Sequence, residues 1–174
     1  MKRLLPGACV AVLAACAESA DPPGPALLFA GGRGDLSAEE RLQVSNLLGL
    51  SVTPDGKGFT DQACGQPADA RVEFRDMNAD GRQEVLAIFG NSCTSGMAGS
   101  SALLLVRDAD GKLQPNLGFP AASADPLPES NLGYPDLLIG GPGFCFPVWR
   151  WNGKEYIGLR NDPQMPGGCD HLND

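Results

Sequence analysis

The feature that most restricts the fold is an internal repeat of a short apolar segment followed by a loop with one Cys. Residues 84–88 (EVLAI) align with residues 136–140 (DLLIG) at an offset of 52. The same offset aligns Cys93 with Cys145. Short apolar runs bounded by turn residues are typical of buried strands, so the repeat predicts two copies of an antiparallel β unit. A chance likeness between two β-hairpins is the alternative interpretation.

Each copy continues into a predicted hairpin. Residues 106–112 (VRDADGK) align with residues 148–154 (VWRWNGK) at an offset of 42. The shorter offset indicates a ten-residue insertion in the first copy, within the Gly- and Ser-rich segment 91–101. Hairpin turns are expected at Asp108–Gly111 and Asn152–Gly153, and Asn-Gly is the strongest signal for a type I′ turn.

One short N-terminal helix is predicted beside the strands. Ser37 and Glu40 form a capping box, and Gly49 supplies a stop signal after the apolar residues that follow. Residues 70–75 alternate between apolar and charged side chains, which indicates a half-buried strand. A chain with 23 Gly, 15 Pro and only 20% charged residues suits a turn-rich β protein. Further strands are expected at 85–89, 102–106, 137–139 and 146–151.

The first residues have the pattern of a targeting signal. Residues 1–15 combine a basic start with an apolar stretch that is too short to span a bilayer. The segment ends in Leu13–Cys16 (LAAC), which resembles the signal box of bacterial lipoproteins. The resemblance implies lipidation of Cys16 and, with Ala17 after it, an anchor in the bacterial outer membrane on the periplasmic side. A secretory signal with an incidental Cys is the alternative.

A short tether is expected after the anchor. Residues 16–25 contain the lipidated Cys and a small, polar, Pro-rich sequence, and residues 26–174 are expected to form a single β domain. Removal of the signal leaves 11 basic and 21 acidic side chains, a net charge of −10. Such a charge argues against nucleic acid and favours a basic protein partner.

Four cysteines remain after the signal and the lipidated Cys. They suit disulfides in an oxidising periplasm, and four cysteines allow three pairings. Because Cys93 and Cys145 occupy equivalent repeat positions, we expect each to bond to the Cys that flanks its own copy, giving Cys64–Cys93 and Cys145–Cys169. A zinc site at Cys169 and His171 is a weak alternative, since the chain has no C-x-x-C pair.

The nine-residue segment 76–84 (DMNADGRQE) carries the one motif with evident chemistry. Oxygen side chains at positions 1, 3 and 5 and a Gly at position 6 are the pattern that places hard ligands around Ca²⁺. Position 12 is Ala87 instead of the Glu of an EF-hand, so position 9 has to supply the closing carboxylate. An Asx-type turn without metal is the alternative. The candidate ligands are Asp76, Asn78, Asp80, the backbone carbonyl of Arg82, and Glu84.

This loop and the strand after it resemble the FG-GAP or VCBS type repeat of propeller-like proteins. The resemblance covers residues 71–159 and implies an antiparallel propeller-like fold with bound Ca²⁺, while the second copy (128–136) lacks the acidic ligands. Compartment, anchor, size and calcium loop together resemble periplasmic lysozyme inhibitors and immunity lipoproteins. The resemblance implies an inhibitor of a peptidoglycan-degrading toxin, such as a secreted cell-wall hydrolase. A calcium-stabilised structural or adhesive envelope lipoprotein is the alternative.

Enzymatic activity is not expected. The single His, His171, is the fourth residue from the end, and the Ser residues of GNSCTSG do not form a G-x-S-x-G elbow. A protein partner is instead expected at the Gly-rich loops, where aromatic and Met side chains serve as anchors. Because Trp149 and Trp151 are two apart on a predicted strand, the core is the alternative place for them. The candidate partner-binding residues are Met97, Phe144, Trp149 and Trp151.

Overall fold

The computed structural model describes residues 20–172, so the predicted signal peptide, Cys16 and residues 17–19 of the predicted tether lie outside the described residues. Within that range the chain forms two antiparallel sheets with few helices, which confirms the mainly β, antiparallel prediction. The helices are α1 (Pro23–Leu28), α2 (Ala38–Leu47) and α3 (Ser92–Ser95). The strands are β1 (Leu50–Val52), β2 (Phe59–Asp61), β3 (Pro67–Arg75), β4 (Glu84–Gly90), β5 (Ser101–Arg107), β6 (Leu113–Pro120), β7 (Ser123–Asn131), β8 (Tyr134–Gly140), β9 (Cys145–Trp151) and β10 (Tyr156–Pro163).

The first sheet contains six strands and the second contains four, and in both sheets the strands pair with their neighbours in chain order. The first sheet has the order β1-β2-β3-β4-β5-β6 and the second has the order β10-β9-β8-β7. The aligned segments of the sequence repeat fall on β4 and β8. The connection after β4 runs over residues 91–100, while the connection after β8 takes only residues 141–144. The first copy therefore has the longer loop, as predicted, but the difference is six residues and not ten.

The first sheet is buried on both faces, which gives the molecule three layers. Val85 and Ala87 of β4 pack on the helices, in a cluster with Val44 of α2. Leu86 and Ile88 of the same strand pack on the second sheet. Successive side chains of a strand point to opposite faces, so Glu84 shares the face of Leu86 and lies between the two sheets. A carboxylate thus enters the apolar interior.

The predicted helix is confirmed as α2. The Ser37 hydroxyl accepts the backbone N–H of Glu40 at 3.2 Å, and the Glu40 carboxylate accepts the Ser37 N–H at 2.8 Å. This capping box satisfies two backbone donors that the first turn leaves free. The prediction of one helix alone is wrong, since α1 and α3 also form. Both are short and contain Pro, Gly or Ser, which give little sequence signal for a helix.

Residues before Ala26, the expected start of the domain, pack against it. The Asp21 carboxylate accepts two hydrogen bonds of 2.8 Å from the guanidinium of Arg41, whose residue is 2% exposed. α1 starts at Pro23, inside the predicted tether. A buried guanidinium requires a charged partner, so the segment from Asp21 onward belongs to the domain. No local sequence pattern indicates this ion pair, because it joins residues far apart in sequence.

The Asn-Gly turn differs from its prediction. Trp151 pairs with Tyr156, which leaves four residues in the connection, and Asn152 does not have a positive φ. The predicted two-residue type I′ turn is therefore wrong, although β9 and β10 do form a hairpin there. Two successive positive φ angles occur instead at Leu132 (51°) and Gly133 (88°), in the tight hairpin between β7 and β8.

Candidate functional site

The segment 76–84 connects β3 to β4 as a tight loop. Both carboxylate oxygens of Asp76 accept backbone N–H groups, from Asp80 at 3.0 Å and from Gly81 at 2.9 Å. Asp80 in turn accepts the N–H of Arg82 at 2.8 Å, and this bond contributes most to lowering the pKa of Asp80. Ala79 has φ 58° and Gly81 has φ 86°, so the chain turns sharply at the two positions where the motif has small residues. The turn gathers the predicted ligands at one edge of the molecule.

Glu84 is the unusual group of this loop. The residue is 1% exposed, and one carboxylate oxygen accepts the backbone N–H of Met77 at 2.9 Å. The other oxygen, Oε1, has no hydrogen-bond partner. Burial raises the pKa of Glu84 and the charges of Asp80 and Asp76 raise it further, while the backbone N–H groups of Met77 and Arg107 act in the opposite direction. A buried anion beside two other anions is unfavourable unless a cation compensates for it.

The loop is bonded to two other parts of the fold. The Asn78 side-chain amide donates to the Tyr134 hydroxyl of the second sheet at 3.0 Å. Gln83 and Asp35 exchange two hydrogen bonds of 3.1 Å, each from a backbone N–H to the other residue's side chain. Burial, with the charges of Glu84 and Asp80, raises the pKa of Tyr134 to about 12. Any ligand that orders this loop therefore acts on both sheets.

The predicted ligand Arg82 also brings a positive charge to the loop. Its guanidinium lies 3.7 Å from the Asp80 carboxylate. Within residues 20–172, no group of three or more His, Cys, Asp or Glu side chains is arranged to hold a metal ion. The loop carboxylates point at backbone donors, so a bound cation requires them to turn.

The second sheet also contains a buried carboxylate, Asp136, but this one has a charged partner. Asp136, which the repeat aligns with Glu84, is 0% exposed. Arg150 donates to both of its carboxylate oxygens, at 2.9 and 2.7 Å. Leu137 faces the first sheet, so Asp136 faces the outer side of the second sheet, where an Arg from β9 reaches it. The second copy thus supplies its own cation, and sequence reasoning missed this pair because Arg150 looked like an ordinary strand residue.

The four cysteines form two neighbouring pairs. Cys145 and Cys169 are joined as a disulfide, as predicted, and this bond excludes the zinc alternative at Cys169. Cys64 and Cys93 are free thiols in mutual contact. The expected Cys64–Cys93 bond is therefore not formed here, although the two predicted partners do meet.

The four predicted partner-binding residues fall into two kinds. Met97 is 89% exposed and Phe144 is 60% exposed. Trp151 is 8% exposed and stacks on Tyr134 in the core between the sheets. Trp149 is half-buried against Phe119, with ring centroids 5.1 Å apart. Both Trp side chains thus pack inside the fold, which agrees with the alternative that placed them in the core. The assignment of Trp151 to a partner surface is therefore corrected.

Met97 and Phe144 lie on loops at the same end of the two sheets. The link between the sheets, residues 121–122, holds both loops. Ala121 donates to the carbonyl of Ser100 at 2.9 Å, and Ala122 donates to the carbonyl of Gly140 at 2.8 Å. Ser100 ends the loop that carries Met97, and Gly140 starts the loop that carries Phe144. The loop 76–84 is at the other end of β4, so the two candidate sites are separate.

The comparisons with known proteins add no assignment. No protein-family model matches the sequence, and neither the curated proteins nor the solved structures yield a match. In the part of the chain from 20 to 172, no helix is both long and apolar enough to cross a membrane. Function has to be argued from the two sites themselves.

Proposed function

We propose that residues 76–84 bind one Ca²⁺, with Asp76, Asn78, Asp80, Glu84 and the Arg82 carbonyl as ligands. The observation that carries this proposal is Glu84, a buried carboxylate with one oxygen unpartnered and with two carboxylates nearby. A divalent cation compensates for this charge and uses the free oxygen, and hard oxygen donors are the ligands that Ca²⁺ prefers. We also propose that the units around β4 and β8 are two repeats of the FG-GAP or VCBS type.

The affinity should be modest. Asp76 and Asp80 have to exchange their hydrogen bonds with backbone N–H groups for the ion, because the described side chains do not yet converge on one point. The loop also lacks a bidentate Glu of the EF-hand type. We expect a Kd of about 10⁻⁴ to 10⁻³ M, as in extracellular calcium modules.

Calcium is expected to raise the melting temperature of the full chain by about 5 °C at about 10 mM ion, because binding to the folded state alone stabilises it. Asp80→Ala should abolish the shift. The matched control is Asp110→Ala, which changes an exposed Asp in the β5–β6 hairpin. Calorimetric melts with calcium and with chelator measure the effect. Identical melts for the unmodified chain would remove the metal site.

Replacement of Arg82 by Gln is expected to strengthen calcium binding by about threefold. The substitution removes a guanidinium 3.7 Å from the Asp80 carboxylate and leaves the backbone carbonyl in place. Isothermal titration with calcium measures the affinity. Arg75→Gln is the matched control, since Arg75 bonds to Glu73 on β3. Weaker binding in Arg82→Gln would show that the side chain supports the loop instead of competing with the ion.

We further propose that the chain is a lipid-anchored periplasmic protein whose loops block a secreted cell-wall hydrolase. The support is the pair of loops at one end of the sheets, each with an exposed apolar side chain, Met97 and Phe144. The Phe144 loop is braced by the Cys145–Cys169 disulfide and by a 2.7 Å hydrogen bond from Gln164. A braced loop loses little entropy on binding. The acidic net charge favours attraction of a basic enzyme.

A charge at each loop tip is expected to abolish inhibition. The variant Met97→Asp with Phe144→Asp should lose binding to the hydrolase by at least about 100-fold, because exposed apolar anchors supply most interface energy. Leu132→Asp is the matched control, since Leu132 is 68% exposed at the opposite end. The measurement is a pull-down from secreted proteins with the full chain, followed by lysis of purified peptidoglycan by the captured enzyme.

A structural lipoprotein is the second candidate. The bonds from the calcium loop to Tyr134 and to Asp35 favour it, because they make calcium a brace for the whole domain. Capture of no hydrolase, or a captured hydrolase whose lysis rate the protein leaves unchanged, would favour this candidate. The calcium experiments above have the same expected results for the inhibitor and for the structural lipoprotein.

A further inference from the structure

Two free thiols meet where the turn after β2 touches the start of α3. Cys64 lies in that turn and is half-buried, while Cys93 lies in α3 and is exposed. The Cys64 thiol is 3.8 Å from the side-chain carbonyl of Asn91, which also accepts the backbone N–H of Cys93 at 2.9 Å. The Cys64 side chain lies close enough to Cys93 to raise the pKa of its thiol. One side chain thus positions both cysteines.

Further hydrogen bonds hold the two segments together in the thiol form. Asp61, which is 6% exposed, accepts the N–H groups of Ala63 and Cys64 and the hydroxyl of Thr94, the last at 2.9 Å. Asn91 donates to the carbonyl of Pro67 at 2.9 Å. The contact between the cysteines therefore does not need a disulfide to exist.

We propose that Cys64 and Cys93 are a reversible dithiol–disulfide pair that fastens the start of the loop 91–100 to the turn after β2. Cys93 is the thiol that a disulfide oxidant reaches first, because it is exposed, and Cys64 is the resolving thiol behind it. The Cys145–Cys169 bond is the permanent disulfide of the chain. This inference goes beyond the proposed function and holds whether or not the loop binds a hydrolase.

The oxidation is a two-step thiol–disulfide exchange with a small or protein disulfide as the oxidant. The Cys93 thiolate attacks one sulfur of the oxidant, whose S–S bond breaks, and one thiol leaves after taking up a proton. The Cys64 thiolate then attacks the Cys93 sulfur of the mixed disulfide and releases the second thiol. Two electrons pass from the cysteines to the oxidant, which is reduced to two thiols.

The surroundings set the rate of this exchange. The hydrogen bond with Cys64, burial and the charge of Asp61 raise the pKa of Cys93. The thiolate is therefore scarce at neutral pH, and oxidation without a catalyst is slow.

The disulfide would restrict the loop that carries Met97. The bond closes a span of 29 residues in sequence, from Cys64 to Cys93, and joins the first turn of α3 to the first sheet. In the dithiol form the same junction depends on a few hydrogen bonds, some of them exposed, and such contacts open more easily than a covalent bond. The loop after Cys93 should therefore be more accessible to a protease in the reduced protein.

The test is equilibration of the full chain in glutathione buffers of graded ratio, followed by acid quenching, alkylation and peptide mapping. We expect Cys64 and Cys93 to lose and regain their thiols together, while Cys145–Cys169 stays bonded. Oxidation should raise the melting temperature by about 8 °C. A bond from Cys64 to any other Cys, free thiols in fully oxidised buffer, or reduction only together with Cys145–Cys169 would each overturn the proposal.

Two variants test the order of attack and the effect on the loop. Cys64→Ser should trap Cys93 as a mixed disulfide with glutathione, whereas Cys93→Ser should leave Cys64 at least tenfold less modified. Thermolysin should cut the segment 94–100 at least fivefold faster in the reduced chain than in the oxidised chain. Neither variant should show that difference. Equal modification of both variants, or equal cutting of both redox forms, would contradict the assignment.

Discussion

Replacement of Glu84 by Gln is expected to stabilise the calcium-free protein by about 2 kcal/mol and to abolish its response to calcium. The carboxylate is buried with Oε1 unpartnered, and the charges of Asp80 and Asp76 act against it. The amide keeps the shape and the acceptor for the Met77 N–H but removes the charge. Denaturant unfolding in chelator measures the gain, and melts with calcium measure the lost response.

Glu73→Gln is the control for this substitution. Glu73 lies on the neighbouring strand β3, bonds to Arg75 at 2.8 Å and has a side chain that is 34% exposed. Its loss should change stability little and leave the response to calcium intact. Lower stability of calcium-free Glu84→Gln would mean that the carboxylate is compensated in the folded protein. A calcium response that survives the change would exclude Glu84 as a ligand.

The parts of the fold that sequence predicted are those set by local signals. α2 follows from the capping box at Ser37 and Glu40, which needs only contacts three residues apart. β4 and β8 follow from apolar runs, because a strand buried on both faces excludes polar residues from its middle. The tight loop at 76–84 follows from small residues placed where φ is positive.

The parts that sequence missed depend on partners far along the chain. β7 contains Pro126 and Pro128 and few apolar residues, so it lacks a strand signal, and its pairing with β8 shifts register between Pro126 and Ser130. Pro is tolerated there because β7 is an edge strand. The ion pair of Asp21 with Arg41 is equally absent from any local pattern. Tertiary contacts decide these positions.

The candidate sites divide in the same way. The proposed ligand set of the loop 76–84 comes from its own sequence, whereas the bond of this loop to Tyr134 comes from the packing of the two sheets. Exposure of Met97 and Phe144 likewise depends on where each loop leaves its sheet. In sequence, Trp151 lies near a Gly-rich segment, but the alternation of side chains along β9 directs it into the core between the sheets. Composition near a loop indicates a surface, and the strand register decides which side chains reach it.

The buried acid of the second sheet gives the largest expected loss of stability. Arg150→Ala should lower the melting temperature by about 8 °C or more, because it leaves the fully buried carboxylate of Asp136 without its two short hydrogen bonds. Arg160→Ala is the control, since Arg160 approaches Asp136 only to 3.9 Å and bonds mainly to Asp162. Its effect should be small.

A second substitution separates the lost charge pair from lost packing. Asp136→Asn in the Arg150→Ala background removes the uncompensated charge, so it should recover at least half of the lost melting temperature. In the otherwise unmodified chain, Asp136→Asn should itself destabilise, because Arg150 then loses a charged partner. No recovery in the double variant would mean that Arg150 stabilises the sheet through its alkyl chain. Recovery would show that the guanidinium of Arg150 compensates for the buried charge of Asp136. Calcium is proposed to compensate for the buried charge of Glu84 in the same way.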